Sequence, residues 1–241
     1  MPETEVYKYL LRYTPSEGLV LDAGCGELTY TILLKYSKHR LEIIPIDIVI
    51  PDTCKKRNKY NFIQASAEKL PFREELFDFI FCLSTLQLIK DDRAVLKEFH
   101  RVLKTNGLLF LTIPTGKSMF RLIRDMEIRC GVYMFPEYNV PHYHYYTRDT
   151  IFGLTAGLFE IIDLYGYCYN FIPRLYSFFT SLAKMHFRRG YTRSKNKKNR
   201  INIIKHLKVS DKKGNYSSIV DKLKRIFSDL SYHYIVVLKK M

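Results

Sequence analysis

Residues 18–29, Gly-Leu-Val-Leu-Asp-Ala-Gly-Cys-Gly-Glu-Leu-Thr, constrain the fold more than any other stretch. Leu19 to Asp22 form a short apolar run that ends in an acid. Gly24 and Gly26 then allow a tight turn, and the residues from Thr29 onward carry a helical pattern. A strand, a glycine turn and a helix in that order let a ligand approach the backbone closely, because glycine has no Cβ and tolerates unusual dihedrals. A second apolar run, residues 41–47, ends at Asp47. A carboxylate at the end of a second strand suits the two hydroxyls of a ribose.

The loop chemistry narrows the ribose-bearing ligand. A dinucleotide places its pyrophosphate on the helix N-terminus over a G-x-G-x-x-G turn. Here the third glycine position is Thr29, and Glu27 adds a negative charge that repels a pyrophosphate. S-adenosylmethionine (SAM) has no phosphate and carries a sulfonium. The D-x-G-x-G pattern with its second-strand acid resembles the first two motifs of class I SAM-dependent methyltransferases. Position 28, often glycine in that family, is leucine here.

Further motifs follow in order. Residues 60–64 read as a third strand and lead into Ala65-Ser66-Ala67-Glu68-Lys69-Leu70-Pro71-Phe72. This resembles the family's D-A-x-x-L-P-F stretch beside adenine, with Ser66 where aspartate is usual. Residues 76–83 read as a fourth strand, Asp91 to Lys104 as an amphipathic helix, Thr105-Asn106-Gly107 as a turn, and Leu108 to Ile113 as a fifth strand stopped by Pro114. Val95, Phe99, Val102 and Leu103 recur at helical spacing on the inner face of that helix. Phe77-Asp78 and Glu98-x-x-Arg101-Val102-Leu103-Lys104 resemble the family's F-D and E-x-x-R-V-L-K signature. The resemblance covers about residues 18–115.

It implies an α/β fold: a Rossmann-like, doubly wound, seven-stranded sheet with strand seven antiparallel. It implies SAM as cofactor, held by Asp22, Ala23, Gly24, Cys25 and Gly26 in the first loop and by Asp47 and Ile48 after the second strand. Ser66, Ala67 and Glu68 after the third strand and Leu83 at the end of the fourth complete the set. The helix over residues 3–13 precedes the sheet, residues 117–131 read as helical, and Thr147 is an N-cap for a helix over 148–157. Residues 158–168 and 231–239 read as strands six and seven.

Between those two strands lie about sixty residues, too many for a structureless loop. The chain therefore divides into a SAM-binding core (1–170), a basic helical insertion (171–230) and the last strand of the core (231–241). The charge follows this division. The chain carries a formal net charge of +15, but residues 1–150 hold 21 Lys and Arg against 19 Asp and Glu. Residues 174–225 hold 16 against 2. An apolar stripe, Ile172, Leu175, Phe178, Phe179, Leu182 and Met185, precedes the basic tract 188–200. Such a pairing suits an anionic membrane face. A phosphate backbone is the other anionic partner, as in an RNA methyltransferase.

The chemistry is bounded by what the motifs contain. Methyl transfer from SAM is an in-line displacement in which positioning does much of the work, with a base needed only if the acceptor must lose a proton. The fourth strand lacks the D/N-P-P-Y/F element for exocyclic or amide nitrogens, and Cys82 is not preceded by proline. Asp91 and Asp92 start a helix, where carboxylates suit the N-terminal dipole, so no metal is expected. The acid/base candidates are His142 and His144. The run from His142 to Tyr146-Thr147 resembles an H-x-x-x-F/Y-T/S element of small-molecule members, which adds Tyr146.

Five cysteines without a C-x-x-C pair suit a reduced, cytoplasmic protein, peripheral on the membrane if the insertion meets lipid. Met-Pro-Glu-Thr-Glu has no secretory character, and no run approaches the roughly 20 apolar residues of a membrane span. The expected function is methyl transfer to a small-molecule acceptor, lipid-linked or glycan-bearing. RNA methylation and non-catalytic SAM binding stay open beside it.

Overall fold

A computed structural model of the chain describes residues 4–49, 61–116, 142–167 and 233–241. The expected insertion 171–230 and the helix 117–131 lie outside the described residues. Helix α1 (Thr4–Tyr13) leads into β1 (Glu17–Ala23), α2 (Thr29–Ser37) and β2 (Arg40–Asp47). Then come β3 (Ile63–Gln64), β4 (Phe77–Leu83), a short 3-10 turn (Leu86–Leu88), α3 (Asp92–Val102), β5 (Leu103–Pro114), α4 (Arg148–Thr155), β6 (Phe159–Tyr167) and β7 (His233–Lys240).

The strands form one seven-stranded sheet in the order β3-β2-β1-β4-β5-β7-β6. Strands β1 to β5 pair in parallel, and β7 runs antiparallel to both β5 and β6. This is the expected α/β sheet with an antiparallel seventh strand. Its interior strands are covered on both faces, and side-chain alternation explains why. Val20, Phe79, Phe81, Phe110, Ile235 and Val237 pack with Val6 and Leu10 of α1 and Leu34 of α2. Leu21, Ile80, Cys82, Leu109, Leu111, Val236 and Leu238 pack with Val95, Leu96, Phe99 and Val102 of α3. Neighbouring residues on a strand point to opposite faces, so continuous apolar runs are what a doubly covered sheet requires.

Two boundaries differ from expectation. Strand β3 is only two residues long, because at the sheet edge it pairs with β2 alone, at Ile46 and Asp47. The turn at Thr105-Asn106-Gly107 is absorbed into β5: Phe77 pairs with Leu103 and Phe79 with Leu108, so residues 104–107 bulge out, with Asn106 at a φ of 64°.

The family-like motifs have structural jobs at these joints. Asp78 accepts the Leu19 N–H at 2.9 Å and the Lys104 Nζ at 2.7 Å, tying β1, β4 and β5 together where the strands enter the sheet. Burial pushes the Asp78 carboxyl up, but Lys104 and the Leu19 N–H outweigh it and hold it below the usual carboxylate range. Glu98 accepts the Leu70 N–H and pairs with Arg101, which donates to the carbonyls of Phe72 and Leu70. The Glu98–Arg101 pair thus clamps the loop after β3 onto α3.

Candidate cofactor and acceptor site

The parallel strand order reverses at β1 and β4, so their carboxyl ends splay apart and open a crevice. The loop after β1 is anchored to β2, with the Gly24 and Cys25 N–H groups both donating to the Ile46 carbonyl at 2.9 and 3.0 Å. The Gly26 N–H donates to Asp47 Oδ2 at 3.0 Å, and the Val49 N–H to Asp47 Oδ1 at 3.1 Å. Each oxygen of that carboxylate keeps further acceptor capacity, as two ribose hydroxyls require.

The two glycines differ in kind. At Gly24, with φ at +79°, a Cβ would lie 2.3 Å from Thr85 Oγ1, so the loop after β4 fills the space of a side chain. At Gly26, with φ at +47°, no atom lies within 4 Å of the Cβ position. This open face above the glycine loop, beside the Asp47 carboxylate, fits an uncharged ribose and a sulfonium-bearing chain. Leu28 adopts the left-handed conformation at φ 64° where glycine is common. The backbone cost of about 1–2 kcal/mol is offset by burying its side chain, which is 1% exposed.

Asp22 is buried at the end of β1. It is 3% exposed, and its carboxylate accepts the Thr31 hydroxyl, which joins β1 to α2. Burial pushes its carboxyl up to about 7; the Thr31 bond opposes this and the Asp47 charge adds to it. Ala23 is fully buried and Cys25 nearly so, which leaves backbone groups as their contribution to the crevice. Ile48 is exposed beyond β2, its carbonyl accepting Gln64 Nε2 at 2.8 Å.

The Ala65 N–H donates to the Asp47 carbonyl at 3.0 Å, which brings the next loop alongside. There the Ser66 hydroxyl accepts the Glu68 N–H at 3.2 Å and donates to the Glu68 carboxylate at 3.4 Å. Ala67 is buried, Glu68 exposed, and Leu83 half-buried at the end of β4. The first loop, the end of β2 and the loop after β3 thus meet at one edge of the sheet.

The segment 142–147 reaches the same edge. The Tyr143 N–H donates to the Gln87 carbonyl at 2.9 Å, and Tyr146 bridges Thr115 just beyond β5. Its three candidate residues are placed differently. His142 is half-buried, its ring 5.5 Å from that of Tyr145. His144 Nε2 lies 2.9 Å from the Lys90 carbonyl, and its Nδ1 lies 3.9 Å from Asp92 Oδ2. Tyr146 is 3% exposed and donates its hydroxyl to Asp92 Oδ2 at 3.0 Å. Burial and then the Asp92 charge raise its phenol well above the ordinary value. Asp91 caps α3 through the Ala94 N–H at 2.9 Å. Thr147 forms a capping box with Thr150 on α4.

Thr31, Thr85 and Gln87 also build this site. A sequence pattern could flag only the Ser84-Thr85 pair that follows the fourth strand; the other two have no local signature. The Cys82 thiol, fully buried and pushed up by burial to about 12, is no nucleophile at neutral pH.

Comparison with known proteins matches this geometry. A family model described as "Methyltransferase domain" matches residues 21–111. A malonyl-acyl-carrier-protein O-methyltransferase of Hamiltonella defensa is 30% identical over 99 residues, covering 40% of this chain and 38% of the relative. A mitochondrial arginine-hydroxylase of Danio rerio is 26% identical over 147 residues, covering 58% and 43%. The chain therefore spans less than half the length of either relative. The structure of Haemonchus contortus phosphoethanolamine N-methyltransferase 2 in complex with SAM shares the fold, with a TM-score of 0.58, 15% identity, and coverage of 98% of this chain and 52% of that one. The family match, the strand order and the loop chemistry agree: over residues 21–111 the chain is similar to class I SAM-dependent methyltransferases.

Proposed function

We propose that the chain transfers the methyl group of SAM to a small-molecule acceptor. The observation that carries this reading is the convergence at the β1/β4 crevice of the open Gly26 face, the Asp47 carboxylate and the candidate-bearing segment 142–147. Bound SAM supplies a methyl group on a sulfonium, poised for in-line displacement. The residues of the chain bind and orient. Asp47 accepts the ribose hydroxyls, the backbone of residues 24–26 lies along the ligand, and Ser66 and Glu68 face the adenine side. His142 takes the proton of an acceptor hydroxyl or amine, the part that an imidazole most often plays in general-base catalysis. Tyr146 positions the segment through Asp92 and does not exchange protons.

The finer reading concerns the acceptor. The net charge of +14 over residues 174–225, beside the apolar stripe of 171–187, supports an acceptor met at an anionic membrane face. Among the described residues, no helix is long and apolar enough to cross a membrane. RNA methylation and non-catalytic SAM binding are outcomes that the tests separate. A relative that is an arginine-hydroxylase makes the type of product worth reading directly.

The test is incubation of the protein with methyl-labelled SAM and cell extract, with products read by mass. A labelled small molecule, and Asp47→Ala weakening SAM binding by about 1.5–3 kcal/mol, would support the reading. SAM binding without any labelled product would make this a binding protein. Label in RNA would move it to the RNA class.

A further inference from the structure

We infer that Gln87 recognises the methyl acceptor, its side-chain carbonyl taking a hydrogen bond from an N–H or O–H of that molecule. The inference rests on the methyl-transfer reading above. Gln87 lies in the Leu86–Leu88 turn that follows β4. It is 2% exposed, and no donor among the described residues reaches its Oε1. A buried carbonyl without a donor is a standing cost, and native proteins keep few of them. Leucines flank it in the turn, and an apolar side chain at this position would leave no buried carbonyl oxygen unpaired.

Its position explains why a polar residue is kept. Two residues earlier, Thr85 packs against Gly24 in the glycine loop. The backbone carbonyl of Gln87 accepts the Tyr143 N–H, so the segment bearing His142 and His144 is pinned to this turn. The turn therefore joins the cofactor loop to the acid/base candidates. The methyl acceptor has to lie between those two elements, because it takes the carbon from SAM held at the first and gives its proton to a base on the second. The oxygen is buried. On this inference an acceptor reaches it from the side of the 142–147 segment, which the Tyr143 N–H ties to the same turn. A site built to receive a donor rejects molecules that lack one, because the buried carbonyl is then left unpaired.

The test uses Gln87→Met, which keeps length but removes the carbonyl, and Gln87→Glu, which keeps an oxygen acceptor. Three quantities are read: melting of the ligand-free protein, SAM affinity by calorimetry, and the initial rate of the labelled product ion from extract with methyl-labelled SAM. Gln87→Met should melt at or above the wild type and bind SAM unchanged. It should lose about tenfold or more of the rate at low extract concentration, and Gln87→Glu should keep more of it. A lower melting temperature for Gln87→Met, with its rate per folded molecule preserved, would overturn the inference, because the carbonyl would then serve the fold. If the wild type labels nothing, the methyl-transfer reading itself fails. The melting comparison still decides Gln87: a fall refutes a carbonyl kept for a ligand, and a rise supports one.

Discussion

Alanine substitution at the two glycines of the loop separates backbone shape from ligand space. Both residues sit at positive φ, which costs an L-residue about 1–2 kcal/mol. At Gly26 that is the whole expected stability cost, since no atom lies within 4 Å of the new Cβ. At Gly24 the Cβ would also meet Thr85 Oγ1 at 2.3 Å, Cγ2 at 2.4 Å and Cβ at 2.7 Å. Overpacking of this kind costs roughly 1–3 kcal/mol more, so Gly24→Ala should lose about 2–5 kcal/mol in urea unfolding.

Because the Thr85 Cβ is itself too close, Thr85→Ala cannot relieve the overlap. Only Thr85→Gly removes all three atoms, and in the double variant it should recover the overlap portion and not the backbone portion. SAM affinity should follow the opposite order. Gly26→Ala places a methyl on the open face of the loop and should weaken SAM binding while the fold holds. Equal stability losses at the two positions, with no recovery from Thr85→Gly, would refute the packing argument. Unchanged SAM affinity in Gly26→Ala would refute the assignment of that face to the cofactor.

Four further outcomes are expected. The Asp22 carboxyl, raised from 3.8 to about 7, opposes folding by about 4 kcal/mol where it is ionised in both states. That penalty is present above about pH 7 and fades as the pH falls toward 3.8, so relative to Asp22→Asn the wild type should gain stability between pH 8 and pH 5; parallel urea midpoints would refute this. His142→Ala should cut turnover by about 10²-fold with SAM affinity unchanged. Tyr146→Phe should instead lose about 1.5–3 kcal/mol of stability and keep its turnover per folded molecule, as kinetics beside melting will show. Replacing residues 171–230 by a short glycine-containing turn should leave a folded SAM binder without adhesion to anionic vesicles; flotation across a salt series, beside RNA shift assays, reads this. An unfolded product would place those residues in the core.

Local order carried far in this chain. The apolar runs of the strands, the capping residues Asp91 and Thr147, and the inner face of α3 were legible because each depends on neighbours within a turn or a strand. The glycine loop and Asp47 were legible for the same reason: the strand–turn–helix unit is itself local. Tertiary structure decided what distance along the chain conceals. Asp22 has the look of a ligand in sequence, but Thr31 and the sheet enclose it, and burial then shifts its proton. Tyr146 belongs to a motif with His142, yet its hydroxyl is claimed by Asp92, 54 residues earlier. The E-x-x-R signature proved to be a clamp on the loop after β3, because only folding brings Leu70 and Phe72 to Arg101. Gln87 had no local sign at all, since whether any described donor reaches its Oε1 is a property of the packed interior and not of its neighbours in sequence.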